Sequence, residues 1–233
     1  MRVPWRFGRL LEMGPWLSNR LEVPAGRHSA ILPAMNTTTG LDLFKLLAAM
    51  RAADAAASRD VLDLGCGPGF HTSALALHGP RVFGLDRQKL FSVEGAFTVG
   101  DVTRLPFAAD RFDLLLAFDI IEHVPDVESL FSEMERVLRP GGRILVSVPS
   151  DGLVPRAWFA ATLRRAPARI DPTHVRFLGY PGWRDLFAAH FAIEDAFGQW
   201  FTEHGERWKR MGNALLRRAP GIAPNLYFQL RPI

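Results

Sequence analysis

Cysteine is almost missing from this chain. Cys66 is the only one in 233 residues, which excludes an internal disulfide and a cysteine-built metal cluster. No apolar run reaches the length of a membrane span. Arg2, Arg6 and Arg9 sit at the N-terminus, but Gly8, Glu12, Gly14 and Pro15 interrupt any apolar stretch, so no secretory signal is read there. These absences lead to the expectation of a cytoplasmic protein. Peripheral membrane contact through residues 1–20 stays open, because Trp5, Phe7, Leu10, Leu11, Trp16 and Leu17 alternate with arginines. Lysine is scarce as well: 25 of the 28 basic residues are arginine. A formal net charge of +4 is too small to establish nucleic-acid binding. Internal repeats and low-complexity linkers are absent.

What is present is a chain of one-domain length, 48% hydrophobic, with strand and helix patterns in alternation. Residues 1–36 read as an N-terminal appendage, either a lid or a segment docked on the core. A helix is expected over Leu41–Ala57, with Leu43, Leu46, Leu47 and Met50 at helical spacing. Strands are expected at Val61–Leu64, Arg81–Leu85, Phe97–Val99, Phe112–Phe118 and Arg143–Val148. The run Leu114-Leu115-Leu116 is apolar without alternation, as in a strand covered on both faces. A helix over Val127–Leu138 presents Leu130, Phe131, Met134 and Leu138 on one face, and Pro140-Gly141-Gly142 is read as its stop. Beyond Pro149 the expectation is helices at Ala157–Leu163, Gly182–His190 and Glu206–Arg218, and strands at Phe191–Phe197 and Asn225–Leu230. Asn225-Leu226-Tyr227-Phe228-Gln229 looks like a protease-tag site, but it runs on into Leu230-Arg231-Pro232-Ile233 and is read as part of the fold.

The chain is organised around Val61-Leu62-Asp63-Leu64-Gly65-Cys66-Gly67-Pro68-Gly69-Phe70. A buried strand runs into a glycine turn, and His71–Leu77 starts a helix. Strand, glycine loop and helix together bind nucleotide-like ligands. Gly65 and Gly67 let the backbone turn and let a ligand approach. Asp86 closes the next strand, 21 residues after Gly65. An acid at that distance can take both hydroxyls of a ribose.

This segment resembles motif I of the class I S-adenosylmethionine-dependent methyltransferases, with the likeness running from about Val61 to Ser150 and more faintly to the C-terminus. The resemblance implies a doubly wound α/β fold, with a seven-stranded, mostly parallel sheet whose last strand is antiparallel. It implies S-adenosyl-L-methionine as cofactor, held by Asp63, Gly65, Cys66, Gly67, Gly69, Asp86, Arg87, Asp101, Val102 and Phe118. Asp63 would orient the loop and Asp86 hold the ribose. Asp101 and Val102 would meet the adenine, and Phe118 would line the methionine portion. Residues 37–233 would form the domain, with a variable acceptor region at about 151–220.

Methyl transfer to oxygen needs a proton removed. His123, in Asp119-Ile120-Ile121-Glu122-His123-Val124, follows strand four and is the candidate general base. A histidine that only braces the loop is the competing reading. Asp119, Glu122, His123 and His174 also offer oxygen and imidazole donors suited to Mg or Mn. Similar spacings occur in metal-dependent members, the quinone-precursor O-methyltransferases and the enzymes that methylate small-RNA 3′ ends, which carry glutamate at the position of Asp119. The competing reading makes Asp119 and Glu122 caps of the next helix. The favoured function is O-methylation of a small-molecule or lipid-like acceptor without metal. An RNA or protein methyltransferase is the alternative, resting on Arg164, Arg165, Arg169, Arg176, Arg207, Lys209, Arg210, Arg217 and Arg218. A non-catalytic S-adenosylmethionine-binding module is the third reading.

Overall fold

The computed structural model describes residues 45, 48–50, 52–53, 58–88, 96–152, 157, 161, 171–199 and 219–233. The appendage 1–36 and the expected helix Glu206–Arg218 lie outside them. Of the expected helices Leu41–Ala57 and Ala157–Leu163, the described residues 45, 48–50, 52–53, 157 and 161 are helical.

Seven strands form one sheet: β1 (Asp60–Leu64), β2 (Arg81–Asp86), β3 (Ala96–Val99), β4 (Phe112–Phe118), β5 (Leu138–Pro149), β6 (Phe191–Gln199) and β7 (Asn225–Pro232). Their order is β3-β2-β1-β4-β5-β7-β6. β1 pairs parallel with β2 and β4, β2 with β3, and β4 with β5. β7 lies between β5 and β6 and is antiparallel to both, as expected. The strand order reverses at β1: the chain steps outward from β1 through β2 to β3, then returns to the other side of β1 with β4. A ligand crevice is expected there, at the carboxyl ends of β1 and β4.

β1 is central because it can be buried on both faces; all five residues are buried. Leu62 and Leu64 join one core with Leu115, Ile144, Val146 and Phe228. Val61 joins the other with Leu114, Leu116, Leu145 and Tyr227. Helix α1 (Phe70–Ala76) and the helix carrying Ala48 and Ala49 cover the second face. Helices α2 (Val127–Val137) and α3 (Tyr180–Ala188) cover the first. Val127, Leu130, Phe131, Met134 and Val137 form the buried stripe of α2, spaced by three and four residues.

Two readings around α2 are corrected, and the helix expected at Gly182–His190 lies at Tyr180–Ala188. Pro140-Gly141-Gly142 does not separate a helix from a strand. α2 ends at Val137 and β5 begins at the next residue. Leu138 pairs with Phe112, and the register resumes only at Arg143 with Leu114. The glycine pair makes a bulge, with Gly141 at φ +80°. The bulge carries Arg139 to Asp60 and Asp113, at 3.1 and 2.9 Å. The cap of α2 is Asp126, which accepts the Ser129 N–H at 3.1 Å. Asp119 and Glu122 therefore do not cap it, and that reading is corrected.

Among the described residues no helix is long and apolar enough to cross a membrane.

Candidate functional site

The glycine loop is pinned from below. Gly65 and Cys66 donate their N–H groups to the Leu85 carbonyl at 2.8 and 3.1 Å. Gly65 has φ +65°, and a Cβ there would stand 2.8 Å from the Ile120 side chain. Gly67 has φ +52° with nothing within 4 Å of a Cβ position, so the loop is open on that side. Gly69, also with positive φ, is the N-cap of α1, and its carbonyl accepts the first-turn Ser73 N–H. The Cys66 sulfur packs on Gly84, where a Cβ would meet it at 2.8 Å. Burial and then the charges of Asp63 and Asp86 push its thiol pKa up to about 12, so Cys66 is not a nucleophile.

Three acids ring this loop. Asp63 is 2% exposed and accepts the Thr72 hydroxyl at 2.6 Å. Burial raises its pKa to about 6. It ties β1 to α1 and so holds the loop between them. Asp86 accepts the Gly67 N–H at 2.9 Å on one oxygen and the Gln88 N–H at 3.0 Å on the other. Each oxygen keeps a lone pair for a further donor. Asp101 accepts from the Thr103 N–H and hydroxyl, at 2.9 and 2.8 Å, and pairs with Arg87 at 2.8 Å. The Thr103 bonds hold its carboxyl down at about 2. Arg87 reaches Asp101. Val102 is only 5% exposed and belongs to the core, leaving little side chain for a ligand. Phe118 meets the edge of the His71 ring, with centroids 5.3 Å apart. An open glycine edge with carboxylates at two strand tips fits a ligand that carries a vicinal diol and an amino-substituted base.

At the tip of β4, Asp119 has φ +51°, which is uncommon for a residue with a side chain. Three bonds hold it there. Its N–H donates to the Ser147 carbonyl at 3.0 Å and the Ser147 hydroxyl donates to Oδ1 at 2.7 Å. The ammonium of Lys45 pairs with Oδ2. Lys45 itself is buried. Ile121–His123 then form one 3-10 turn. Glu122 is 1% exposed, and its Oε2 has no hydrogen-bond partner. Burial, then the charge of Asp119, pushes its pKa up to about 8, so the carboxyl is largely protonated at pH 7.

Residues 171–179 lie against this turn. The Glu122 carbonyl accepts the N–H groups of Val175 and Arg176 at 2.9 and 3.2 Å. The Arg176 guanidinium donates to the carbonyls of Ile121 and Val124 at 3.0 and 3.1 Å. His123 Nδ1 lies 2.8 Å from the Thr173 hydroxyl, and the His123 and His174 ring centroids are 4.6 Å apart. Ligand atoms of Glu122, His123 and His174 all fall within 4.8 Å of one another. Three of the four candidate metal ligands therefore converge. Asp119 does not join them, because Lys45 and Ser147 engage its carboxylate.

Sequence reasoning missed Lys45, Ser147, Asp171 and Thr173. Nothing local in the sequence marks Lys45, which shares the expected helix Leu41–Ala57 with a second cation, Arg51. Asp171-Pro172-Thr173 has the composition of an Asx turn. Nothing local in the sequence pairs that turn with His123, 50 residues away.

Residues 62–146 match the family described as methyltransferase domain. A probable S-adenosylmethionine-dependent methyltransferase of Mycolicibacterium smegmatis is 35% identical over 156 residues, which cover 64% of this chain and 58% of that one. An uncharacterized methyltransferase of Mycobacterium marinum is 30% identical over 182 residues, 73% of this chain and 68% of its own. The first of these relatives is matched over less than two thirds of its length. Among solved structures, the YcgJ protein of Bacillus subtilis superposes with a TM-score of 0.57 at 21% identity, covering 82% of this chain and 99% of that one.

Proposed function

The chain belongs to the class I S-adenosylmethionine-dependent methyltransferases, and from that premise we propose that it methylates an oxygen of a small-molecule or lipid-like acceptor. The observation that carries this reading is the placement of His123. It sits half-buried on the turn that follows β4, at the carboxyl ends of the parallel strands, where this fold type binds its ligands. An oxygen acceptor must lose a proton, and His123 is the group set to take it.

In this reading Asp86 holds the ribose hydroxyls and Asp101 the adenine amino group. The open edge at Gly67 admits the methionine end above the Asp63–Thr72 bond, and Phe118 lines it. Bound S-adenosylmethionine supplies a methyl group on a positively charged sulfur. The chain's work is positioning, which is worth roughly 7–11 kcal/mol when donor and acceptor are well aligned. Val175 and Phe177 flank His174 and are 53% and 41% exposed. They give the acceptor side an apolar rim, which favours a partly apolar acceptor. The expected walls at 1–36 and about 151–220 fall largely outside the described residues. The arginine cluster gives no support to an RNA acceptor among the described residues, because Arg176 spends its guanidinium on backbone carbonyls.

The test is transfer of a labelled methyl group into an extract of the source cells, separated into organic-soluble and macromolecular fractions. Label in the organic fraction supports the reading. Label in RNA or protein overturns it in favour of the macromolecular alternative. Saturable cofactor binding with no label in any fraction favours the non-catalytic binding module.

A second reading rests on the unpaired Oε2 of Glu122. A buried carboxyl oxygen without a partner beside two imidazoles becomes a donor set for a divalent ion such as Mg or Mn when the ion displaces the carboxyl proton. Glu122, His123 and His174 would hold it. Turnover that survives exhaustive chelation removes this reading.

A further inference from the structure

Thr173 has one hydroxyl proton and two neighbours that compete for it. Its Oγ1 lies 2.6 Å from Asp171 Oδ1 and 2.8 Å from His123 Nδ1. The same Asp171 oxygen accepts the Thr173 N–H at 2.8 Å, so the turn is closed twice. An aspartate carboxyl is ionised at neutral pH, and an ionised carboxylate accepts but does not donate. The hydroxyl proton of Thr173 points to Asp171. The oxygen of Thr173 can then only accept from His123, which places the ring proton on Nδ1. A neutral imidazole with its proton on Nδ1 has its lone pair on Nε2.

We propose that Asp171 and Thr173 are positioning residues that fix His123 as the Nδ1–H tautomer, making Nε2 the atom that receives the acceptor's proton. The inference rests on the reading of His123 as general base. In the step, the acceptor's O–H proton passes to Nε2. The acceptor oxygen forms its bond to the methyl carbon while the carbon–sulfur bond breaks and its electron pair stays on sulfur. His123 becomes an imidazolium whose Nδ1–H still points to Thr173, with the Asp171 carboxylate next in line to offset the charge. The proton leaves to water afterwards. The relay is built from one short segment, and that segment is fastened to the His123 turn by the Val175 and Arg176 N–H groups. The ring is thus oriented by a frame, not by a single side chain.

Nitrogen-resolved NMR of the histidine rings, on the full chain with and without S-adenosylmethionine, tests the tautomer directly. The expected result is a proton on Nδ1 of His123 in the wild type and in Thr173→Ser. Thr173→Val, which keeps the shape and removes the hydroxyl, is expected to shift the ring toward Nε2–H or a mixture. In the labelled-methyl assay with organic-soluble extract, Thr173→Val should lose at least about tenfold in kcat. Its cofactor affinity by calorimetry should stay within about twofold of wild type, and Thr173→Ser should restore most of the turnover. An Nε2–H tautomer in the wild type overturns the proposal, and so does a Thr173→Val protein with unchanged tautomer and turnover. Wild-type protein that transfers no methyl group overturns the acceptor reading on which the proposal rests. The NMR result judges the Asp171–Thr173–His123 arrangement in either case.

Discussion

Asp86 receives the Gly67 N–H, which shapes the loop, and keeps lone pairs that the proposed function assigns to the ribose. Asp86→Ala should weaken S-adenosylmethionine binding at least about tenfold, or roughly 1.4 kcal/mol. Calorimetry reads this directly, and an unchanged affinity contradicts the ribose assignment. Asp86 was legible in the sequence because its spacing from the glycine loop is fixed by one strand–helix–strand unit. Lys45 was not. Its partner Asp119 lies 74 residues away, and nothing short of the folded sheet brings the two together. The same holds for Thr173. Local motifs announce residues whose spacing one strand–loop–helix unit sets. Residues that brace the turn after β4 come from distant segments and carry no shared pattern.

At the scale of elements, the turn Ile121–His123 and the segment 171–179 behave as one unit. Arg176 is its fastener: burial lowers its pKa, and it is the side chain whose donors reach the carbonyls of Ile121 and Val124. Arg176→Leu removes the guanidinium from both carbonyls and leaves Ile121 with only the Val124 N–H at 3.2 Å. The expected cost is roughly 1–3 kcal/mol of stability, read as a lower denaturation midpoint, together with reduced turnover at preserved cofactor affinity. A variant with the wild-type midpoint shows that water serves those carbonyls equally well. The sequence placed Arg176 in the basic cluster on which the RNA or protein alternative rests, because composition cannot tell a solvated guanidinium from one spent on the backbone. Strands fared better. Leu114-Leu115-Leu116 and Leu145-Val146 are apolar without alternation, and only a sheet covered on both faces requires that. The Pro140-Gly141-Gly142 stretch misled because a glycine pair marks a bulge as readily as a helix stop. The preference for a bulge comes from Arg139 reaching Asp60 and Asp113, a long-range term.

Across the whole molecule the charges divide between the two ends of the parallel strands. At the amino ends, Asp60 is 1% exposed yet bonded by Arg81, Arg111 and Arg139 at 2.8, 2.9 and 3.1 Å. Burial alone would raise its pKa, but those guanidinium bonds outweigh it and hold the carboxyl low. Asp113 is held low in the same balance, chiefly through Arg139. For both, the contribution to stability is present above the ordinary aspartate pKa and is lost as pH falls. At the carboxyl ends the buried acids Asp63 and Glu122 have the opposite sign. Asp63 has a folded pKa of about 6 against an ordinary 3.8. Below about pH 4 it is protonated in both states and costs nothing. Between about 4 and 6 the unfolded chain releases the proton and the folded one keeps it, so stability falls as pH rises. Above that window the loss is complete, on the order of 3 kcal/mol for a shift of about two units. The side chain ties the glycine loop's strand to α1 through Thr72. Asp63→Asn keeps an acceptor for that hydroxyl and removes the titration. Its stability relative to wild type should therefore be near zero difference at pH 4, rise through pH 5 and level off above pH 6 to 7. Denaturant unfolding at several pH values measures this, provided the protein is free of cofactor, since bound ligand stabilises the folded state on its own account. A difference that stays constant from pH 4 to 7 overturns the assignment of a buried, late-titrating acid. A rising difference shows that the cofactor end of the sheet is built at a cost in stability, while the opposite end supplies the compensating ion pairs.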